Sequence, residues 1–413
     1  MLTVLRQSWA LLFGVMLLML GNGIQGTLLG IRGGLEGFST QQMSYVMSAY
    51  FIGFLFGSRL VPGMLRRVGH VRVFAALGSM ISAVLVLYPV LPDWTAWALM
   101  RVAIGFSFSG VYITAESWLN NASTNETRGQ ALSLYMIMQM VGIIGSQVFL
   151  NFGDPSGFVL FVVPSVLVSL AFTPILLTVS PAPAFEATRR LSLLTLFKAS
   201  PLGFVGMFLL GGVFSAQFGM ASVWGTLQGL SVRELTIFIA AIYVGGLVFQ
   251  YPIGWASDRM DRRALILALA GVGAVVTLGV AAIDAPFWLL VLVGMETGAI
   301  SNPLYSLIIA YVNDYLGKDD MAAASAGLLF VNGVGAIAGP IVTGWLMGRI
   351  GPPGFFVFMG GLFALLALYA GWRMTRRAAA PAGAYVPVSP NATPVAVEAA
   401  YDPSATGAVT ERD

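Results

Sequence analysis

Four ionisable side chains lie inside apolar runs of this sequence: Arg59, Arg101, Glu116 and Glu296. An ionisable group at the centre of a helix in lipid costs about 2.5–3.5 kcal/mol, so each needs a partner or a wet cavity. At 100° per residue, Gly105, Phe108 and Tyr112 fall within about 40° of Arg101 on one helical face. A cation, a small gap and two rings suit an anionic or planar solute, or a proton relay. Glu296 is the candidate proton-coupling acid, with Arg101 beside it in that role, because a buried acid in a cleft is a functional-site candidate. Gln25 and Gln217 can bind a solute by hydrogen bonds without fixed charge, and Asn22 and Asn302 can join them. Trp224 offers a surface for stacking.

Other chemistry is missing. The chain has no cysteine and one histidine, His70, which leaves no thiolate or histidine-rich metal centre. No nucleophile or His/Asp constellation is recognisable, and no glycine-rich phosphate loop follows a strand. The sequence therefore predicts no enzyme, no cofactor and no direct use of nucleotide.

The elements that position these residues follow from composition. Of 413 residues, 57% are hydrophobic and 9% are charged. A soluble domain carries about 25% charged residues, so this chain is too apolar for a surface facing water. Its apolar runs are continuous, as in LLFGVMLLML, which excludes the alternating strands of a membrane barrel. A spanning helix needs about 20 apolar residues. The runs predict an all-α membrane protein whose first six spans are Trp9–Gly30, Gln41–Leu65, Val71–Leu91, Thr95–Leu119, Gly129–Phe152 and Gly157–Val179. The second six are Leu202–Thr226, Val232–Ala256, Arg263–Ile283, Pro286–Val312, Met321–Met347 and Gly354–Arg373.

Charge sets the orientation. Arg6, Arg66, Arg67, Arg72, Arg128, Arg189, Arg190, Lys198, Arg259, Arg262, Arg263, Lys318, Arg373, Arg376 and Arg377 gather at one end of the spans. Only Arg32, Arg233 and Arg349 lie at the other. The positive-inside rule makes the arginine-rich end cytoplasmic, and an even number of spans puts both termini there. The expected location is a bacterial inner membrane. The domain reading is a six-helix bundle over 1–180, a cytoplasmic linker over 181–200 with a short surface helix, and a second bundle over 201–377. From 378 to 413 the chain is rich in Ala, Pro, Val and Thr, and is expected to be a disordered tail.

The halves repeat. Asn120 and Asn313, Tyr112 and Tyr305, and Gly142 and Gly335 are each 193 residues apart, and Gln25 and Gln217 are 192 apart. Six spans per half give parallel repeats about an axis along the membrane normal. The loop Gly254-Trp-Ala-Ser-Asp258-Arg259-Met-Asp261-Arg262-Arg263 resembles the G-x-x-x-D-R-x-G-R-R signature of the major facilitator superfamily, departing at Asp261. The loop from Pro62 to Arg72 is a more degenerate copy. Arg101-Val-Ala-Ile-Gly105 is similar to that family's fourth-helix motif.

The resemblance implies two pseudo-symmetric six-helix bundles around a central cavity, working by alternating access. The segments AESWLN and TRGQALSLY look like bacterial members near the drug:proton antiporters. The antiporter motif G-x-x-x-G-P is absent from the fifth span, and a similar run, Gly335 to Pro340, sits on the eleventh.

The expectation is a proton-coupled secondary transporter of a small organic solute. Its partners would be that solute, protons and the bilayer, with no nucleic acid, and it would act as a monomer. Asn22, Gln25, Arg101, Phe108, Tyr112, Gln217, Trp224 and Asn302 would bind solute. Arg59, Glu116, Arg128, Asp258, Arg259 and Arg262 would form an inside gate. The rival readings are a multidrug-type efflux antiporter and a membrane ligand sensor that transports nothing.

Overall fold

Backbone polar groups in lipid must be satisfied within the chain, and helices do this. The computed structural model describes residues 2–124, 127–177, 192–317, 320–376, 383, 385–390 and 392–401. The first bundle holds α1 (Leu2–Leu35), α2 (Thr40–Val68), α3 (His70–Leu87), α4 (Trp94–Ala122), α5 (Arg128–Phe149) and α6 (Val159–Leu177). A short helix, α7 (Leu193–Ala199), precedes the second bundle. There the seventh span is built from α8 (Pro201–Ser215), a π turn at Ala216–Met220 and α9 (Ala221–Leu227). It is followed by α10 (Val232–Ser257), α11 (Arg262–Ala281), α12 (Phe287–Asn313), α13 (Met321–Ile350) and α14 (Pro353–Met374). Among the described residues, eleven helices are long and apolar enough to cross a membrane, and the shorter apolar α6 completes twelve. Part of the expected linker, with Arg189 and Arg190, lies outside the described residues, as do Lys318 and Arg377.

The duplication is visible in local chemistry. Ser39 and Gln42 form a capping box at the start of α2, and Ser231 and Glu234 form one at the start of α10. The serine side chain accepts from the third backbone N–H while the third side chain reaches back, so two orphan donors are satisfied. Just before each box, Gly37 and Gly229 adopt φ of 76° and 79°, a region that favours glycine.

Packing repeats as well. A Cβ on Gly105 of α4 would lie 1.9 Å from the Tyr50 carbonyl oxygen of α2. A Cβ on Gly298 of α12 would lie 1.8 Å from the Ile242 oxygen of α10. In the same way Gly142 meets the Met16 oxygen of α1, and Gly335 meets the Phe208 oxygen of α8. Glycine lets the helix backbones touch, which is how spans associate when lipid removes the hydrophobic drive between them.

The two bundles meet most closely at the arginine-poor end. Gly30 of α1 rests on Ser222 of α9, Gly344 of α13 on Ser44 of α2, and Asn151 donates to Thr236 of α10 at 3.0 Å. Ser48 of α2 donates to the Ile337 carbonyl of α13. Toward the other end the space between the bundles holds residues 385–390 and 392–401, including a last helix, α15 (Pro394–Tyr401). Val388, Ala392, Ala396 and Val397 are buried there. This corrects the expectation of a disordered tail for these residues. Its apolar side chains are mostly small Ala and Val, but the vestibule supplies partners for the backbone polar groups.

The glycine contacts give a direct test. Gly298→Leu is expected to lower the melting temperature of the purified protein, because overpacking costs about 1–3 kcal/mol or more. Gly271→Ala, where a Cβ meets nothing within 4 Å, should leave it unchanged or slightly raised.

Candidate functional site

A small cavity of about 100 Å³ lies between the bundles. Its walls come from both halves. The first half supplies Asn22 and Thr27 of α1, Tyr50 and Phe51 of α2, Arg101 of α4, and Gln139 and Gln147 of α5. The second supplies Gln217 and Phe218 from the π turn, Ser222 of α9, Tyr243 of α10 and Asn302 of α12. Ser389 and Pro390 of the tail line it too.

Arg101 is 4% exposed. One terminal nitrogen donates to Gln25 Oε1 at 3.2 Å and the other approaches Met47 Sδ at 3.5 Å. The guanidinium lies 4.8 Å from the Tyr50 ring centroid. Nε is buried without a hydrogen-bond partner. Among the described residues no carboxylate pairs with it. Gln25 is held in turn, donating to the Tyr88 hydroxyl at 3.2 Å. Aromatic faces and neutral amides therefore stand where a counter-ion would be expected.

The symmetric glutamines have different jobs. Gln25 lies one layer behind the cavity and fixes Arg101, whereas Gln217 lines the cavity. Gln217 Oε1 accepts from Ser301 at 2.9 Å and its Nε2 is unpartnered. The π turn explains the difference, since it breaks the helical phase that α1 keeps; π turns often mark functional positions. Asn22 and Asn302 line the wall, the latter donating to the Gly298 carbonyl at 3.3 Å.

Besides Gln25, three more expected binding residues are not on the cavity wall. Phe108 and Tyr112 are buried in the α4 packing, with the Tyr112 hydroxyl on Met19 Sδ at 3.3 Å. Helical phase put them beside Arg101 without showing that α1 and α2 cover that part of α4. Trp224 belongs to a cluster with Phe238, Phe355 and Phe356, at centroid distances of 4.7, 5.2 and 5.1 Å. That cluster packs near the arginine-poor end.

Glu296 also lies elsewhere. Trp288 and Leu292, two and one helical turns earlier on the same stripe, are 67% and 62% exposed. Both Glu296 oxygens lack partners, and the residue is absent from the cavity wall. The residue 193 positions after Arg101 is Gly294, which packs on Phe238. Strict repeat symmetry thus leaves Glu296 pointing away.

The expected gate residues gather at the arginine-rich end, and among the described residues the ion pairs of Arg262 stay within its own half. Arg59 of α2 does cross, lying 4.2 Å from the Phe330 ring centroid of α13. Arg262 bonds Asp314 at 2.6 Å and Ser257 at 3.1 Å within its own half, with Asp258 at 3.9 Å. Exposed Arg259 covers Trp255, and Arg128 opens α5. Glu116, fully buried, accepts from Tyr135 at 3.2 Å and from the Thr393 N–H at 2.8 Å. Asp258 accepts from the Tyr385 N–H at 2.8 Å. The acids thus meet the tail in place of the opposite bundle's arginines. In the signature loop Asp261 replaces glycine by capping α11, and its bonds to Arg263 hold its carboxyl below the usual range. Burial pushes the Asp314 carboxyl up, against the Gly383 N–H and the charge of Arg262.

Sequence profiles now place this geometry. The Major Facilitator Superfamily profile matches residues 11–248 and 228–390. The chain belongs to the major facilitator superfamily. It is 25% identical over 349 residues to an uncharacterised MFS-type transporter, YcaD, of Escherichia fergusonii, covering 83% of this chain and 89% of that one. It is 26% identical over 354 residues to YcaD of Salmonella arizonae, with 84% and 90% covered. The nucleoside transporter NupG shares the fold at a TM-score of 0.76 and 17% identity, over 90% of this chain and 99% of that one. A D-xylose–proton symporter does so at 0.66 and 16%, over 88% and 96%. The chain is a multi-pass membrane transporter of this family, and twelve spans in two pseudo-symmetric bundles are its fold.

Sequence reasoning missed Tyr50, Tyr243, Gln139 and Gln147. The two glutamines, eight residues apart in an otherwise apolar span, carried a readable signal. The unpaired cation gives the site its prediction. Arg101→Met is expected to raise the melting temperature, by about 2–4 °C for each kcal/mol released, because it removes an uncompensated buried charge. Gln25→Leu, which removes that charge's acceptor, should lower it.

Proposed function

We propose that this facilitator is a secondary transporter that carries a small organic anion across the bacterial inner membrane by alternating access. The observation that carries the reading is Arg101, buried at the cavity wall without an acidic partner. A carboxylate or similar anion would supply the missing counter-charge, and charge-assisted bonds to arginine are about twice as strong as neutral ones. Unpartnered Nε2 of Gln217, with Asn22 and Asn302, would bind the rest of the solute. The aromatic walls from Tyr50, Phe51, Phe218 and Tyr243 favour a solute with an apolar body.

The bundles are closed at the arginine-poor end and separated by the tail at the other. That is the arrangement of an inward-facing state with the arginine-rich end cytoplasmic. Rocking of the parallel repeats about the cavity would expose the site to the other side. Proton coupling is part of the proposal, and an anion that enters with a proton would neutralise Arg101 only in transit. The position of Glu296 off the cavity wall argues against routing the proton through it.

Proteoliposomes test this. Under an imposed gradient, acid outside, the wild type should accumulate a radiolabelled small carboxylic acid. Arg101→Gln should reduce uptake by about tenfold or more, the loss of one charge-assisted contact. Glu296→Gln should keep the stimulation by the gradient. Full uptake by Arg101→Gln, or uptake of the neutral amide as fast as the acid, would overturn the reading.

A further inference from the structure

The tail is bound the way a peptide ligand is bound. Four of its backbone N–H groups are taken by side chains of the vestibule. Asp314 accepts from Gly383 and Asp258 from Tyr385, at 2.9 and 2.8 Å. Ser306 accepts from Val388 at 2.9 Å, and Glu116 from Thr393 at 2.8 Å. The Ser306 hydroxyl also donates to the Val388 carbonyl at 3.0 Å, so one side chain serves both backbone groups. Arg262 donates to the Gly383 carbonyl, and the Thr393 hydroxyl donates to Glu116. The Tyr385 ring fills the space above Gly254, where a Cβ would lie 2.7 Å from it, and its hydroxyl accepts from Gln250 at 2.9 Å.

These partners span both bundles. Glu116 belongs to the first half, and Ser306, Asp258, Asp314 and Arg262 to the second. α15 packs on α4 and α5 of one half and on α13 of the other. Ser389 and Pro390 form part of the cavity wall itself. A segment in this place blocks passage from the cavity to the arginine-rich end and bonds to both bodies, which must move relative to one another.

We propose that the tail residues 385–390 and 392–401 are a tethered plug that occupies the inner vestibule, closes the central cavity from the arginine-rich end, and must leave before the cavity can exchange solute. It takes the part that ion pairs between bundles were expected to play. Glu116 is the latch in the first half, holding the Thr393 N–H and hydroxyl, and Asp258 and Ser306 are the latches in the second. The proposal rests on the cavity being the transport site, but its test reads access to the cavity and not flux.

The chain has no cysteine, so a single reporter carries no background. Ile143→Cys places a thiol on the cavity wall. Its reaction with a water-soluble methanethiosulfonate is followed from the arginine-rich side in membrane vesicles. Adding Val388→Asp with Thr393→Val should speed labelling by about tenfold or more, as lost bonds to a charged group and a charge in an apolar contact release the tail. Thr393→Val alone, which removes one hydroxyl, should give an intermediate rate. An excess of a synthetic peptide spanning residues 383–401 should slow labelling again in the released variant. Equal labelling rates with native and altered tails would overturn the plug, as would a peptide without effect. Either result leaves the anion-transport reading intact, because neither measures flux.

Discussion

A guanidinium without a carboxylate, held in the middle of a lipid-embedded bundle, is the constraint around which this structure is arranged. Water cannot solvate Arg101 freely, and the protein offers it only an amide oxygen, a thioether and a ring face. Each of those is a weak partner beside a carboxylate, and one nitrogen has none. Such a charge is tolerated when a cavity lies beside it and when its surroundings are fixed. Gln25 and Tyr88 fix it from behind, and the glycine contact between Gly105 and α2 lets the two helix backbones approach closely beside it. On the proposed reading, the instability left in this corner would be relieved by binding an anion.

The second constraint is the duplication. Close backbone contacts recur between α2 and α4 and between α10 and α12, and again between α1 and α5 and between α8 and α13. Each pair is rigid because glycine leaves no side chain to cushion it. Closely packed pairs in two halves, joined mainly at one end, are what the proposed rocking of two bodies requires. The cavity lies where they separate. The π turn at Gln217 breaks the symmetry at the site, and with it the equivalence of the two central glutamines.

Much of this was legible in the residues. Run length set the twelve spans, and the spacing of 192–193 residues set the halves. Arg101, Gln217, Asn22 and Asn302 were readable because polar groups in apolar spans need a reason. What failed had physical causes. Helical phase placed Phe108 and Tyr112 beside Arg101 but says nothing about which neighbour covers the face further along. Trp224 reads equally well as a stacking surface and as part of an aromatic cluster. Glu296 was misplaced because two residues past the repeat position is a rotation of about 200°. The tail was illegible because it binds largely through its own backbone groups, which every sequence carries alike. Its binding is written in the side chains of the vestibule, Glu116, Asp258 and Ser306, whose need for partners was visible but whose partners were not.

The central claim is that the cavity is built for an anion, and equilibrium binding tests it most directly. The purified wild type and Arg101→Gln should be melted against matched pairs of small carboxylic acids and their amides. A ligand at about 100 times its Kd stabilises the folded state by about 2.7 kcal/mol, a shift that is easily read. The account predicts that stabilising ligands come from the acids, that their amides fail, and that Arg101→Gln loses the effect. Stabilisation by neutral or cationic solutes, retained in full by Arg101→Gln, would contradict it.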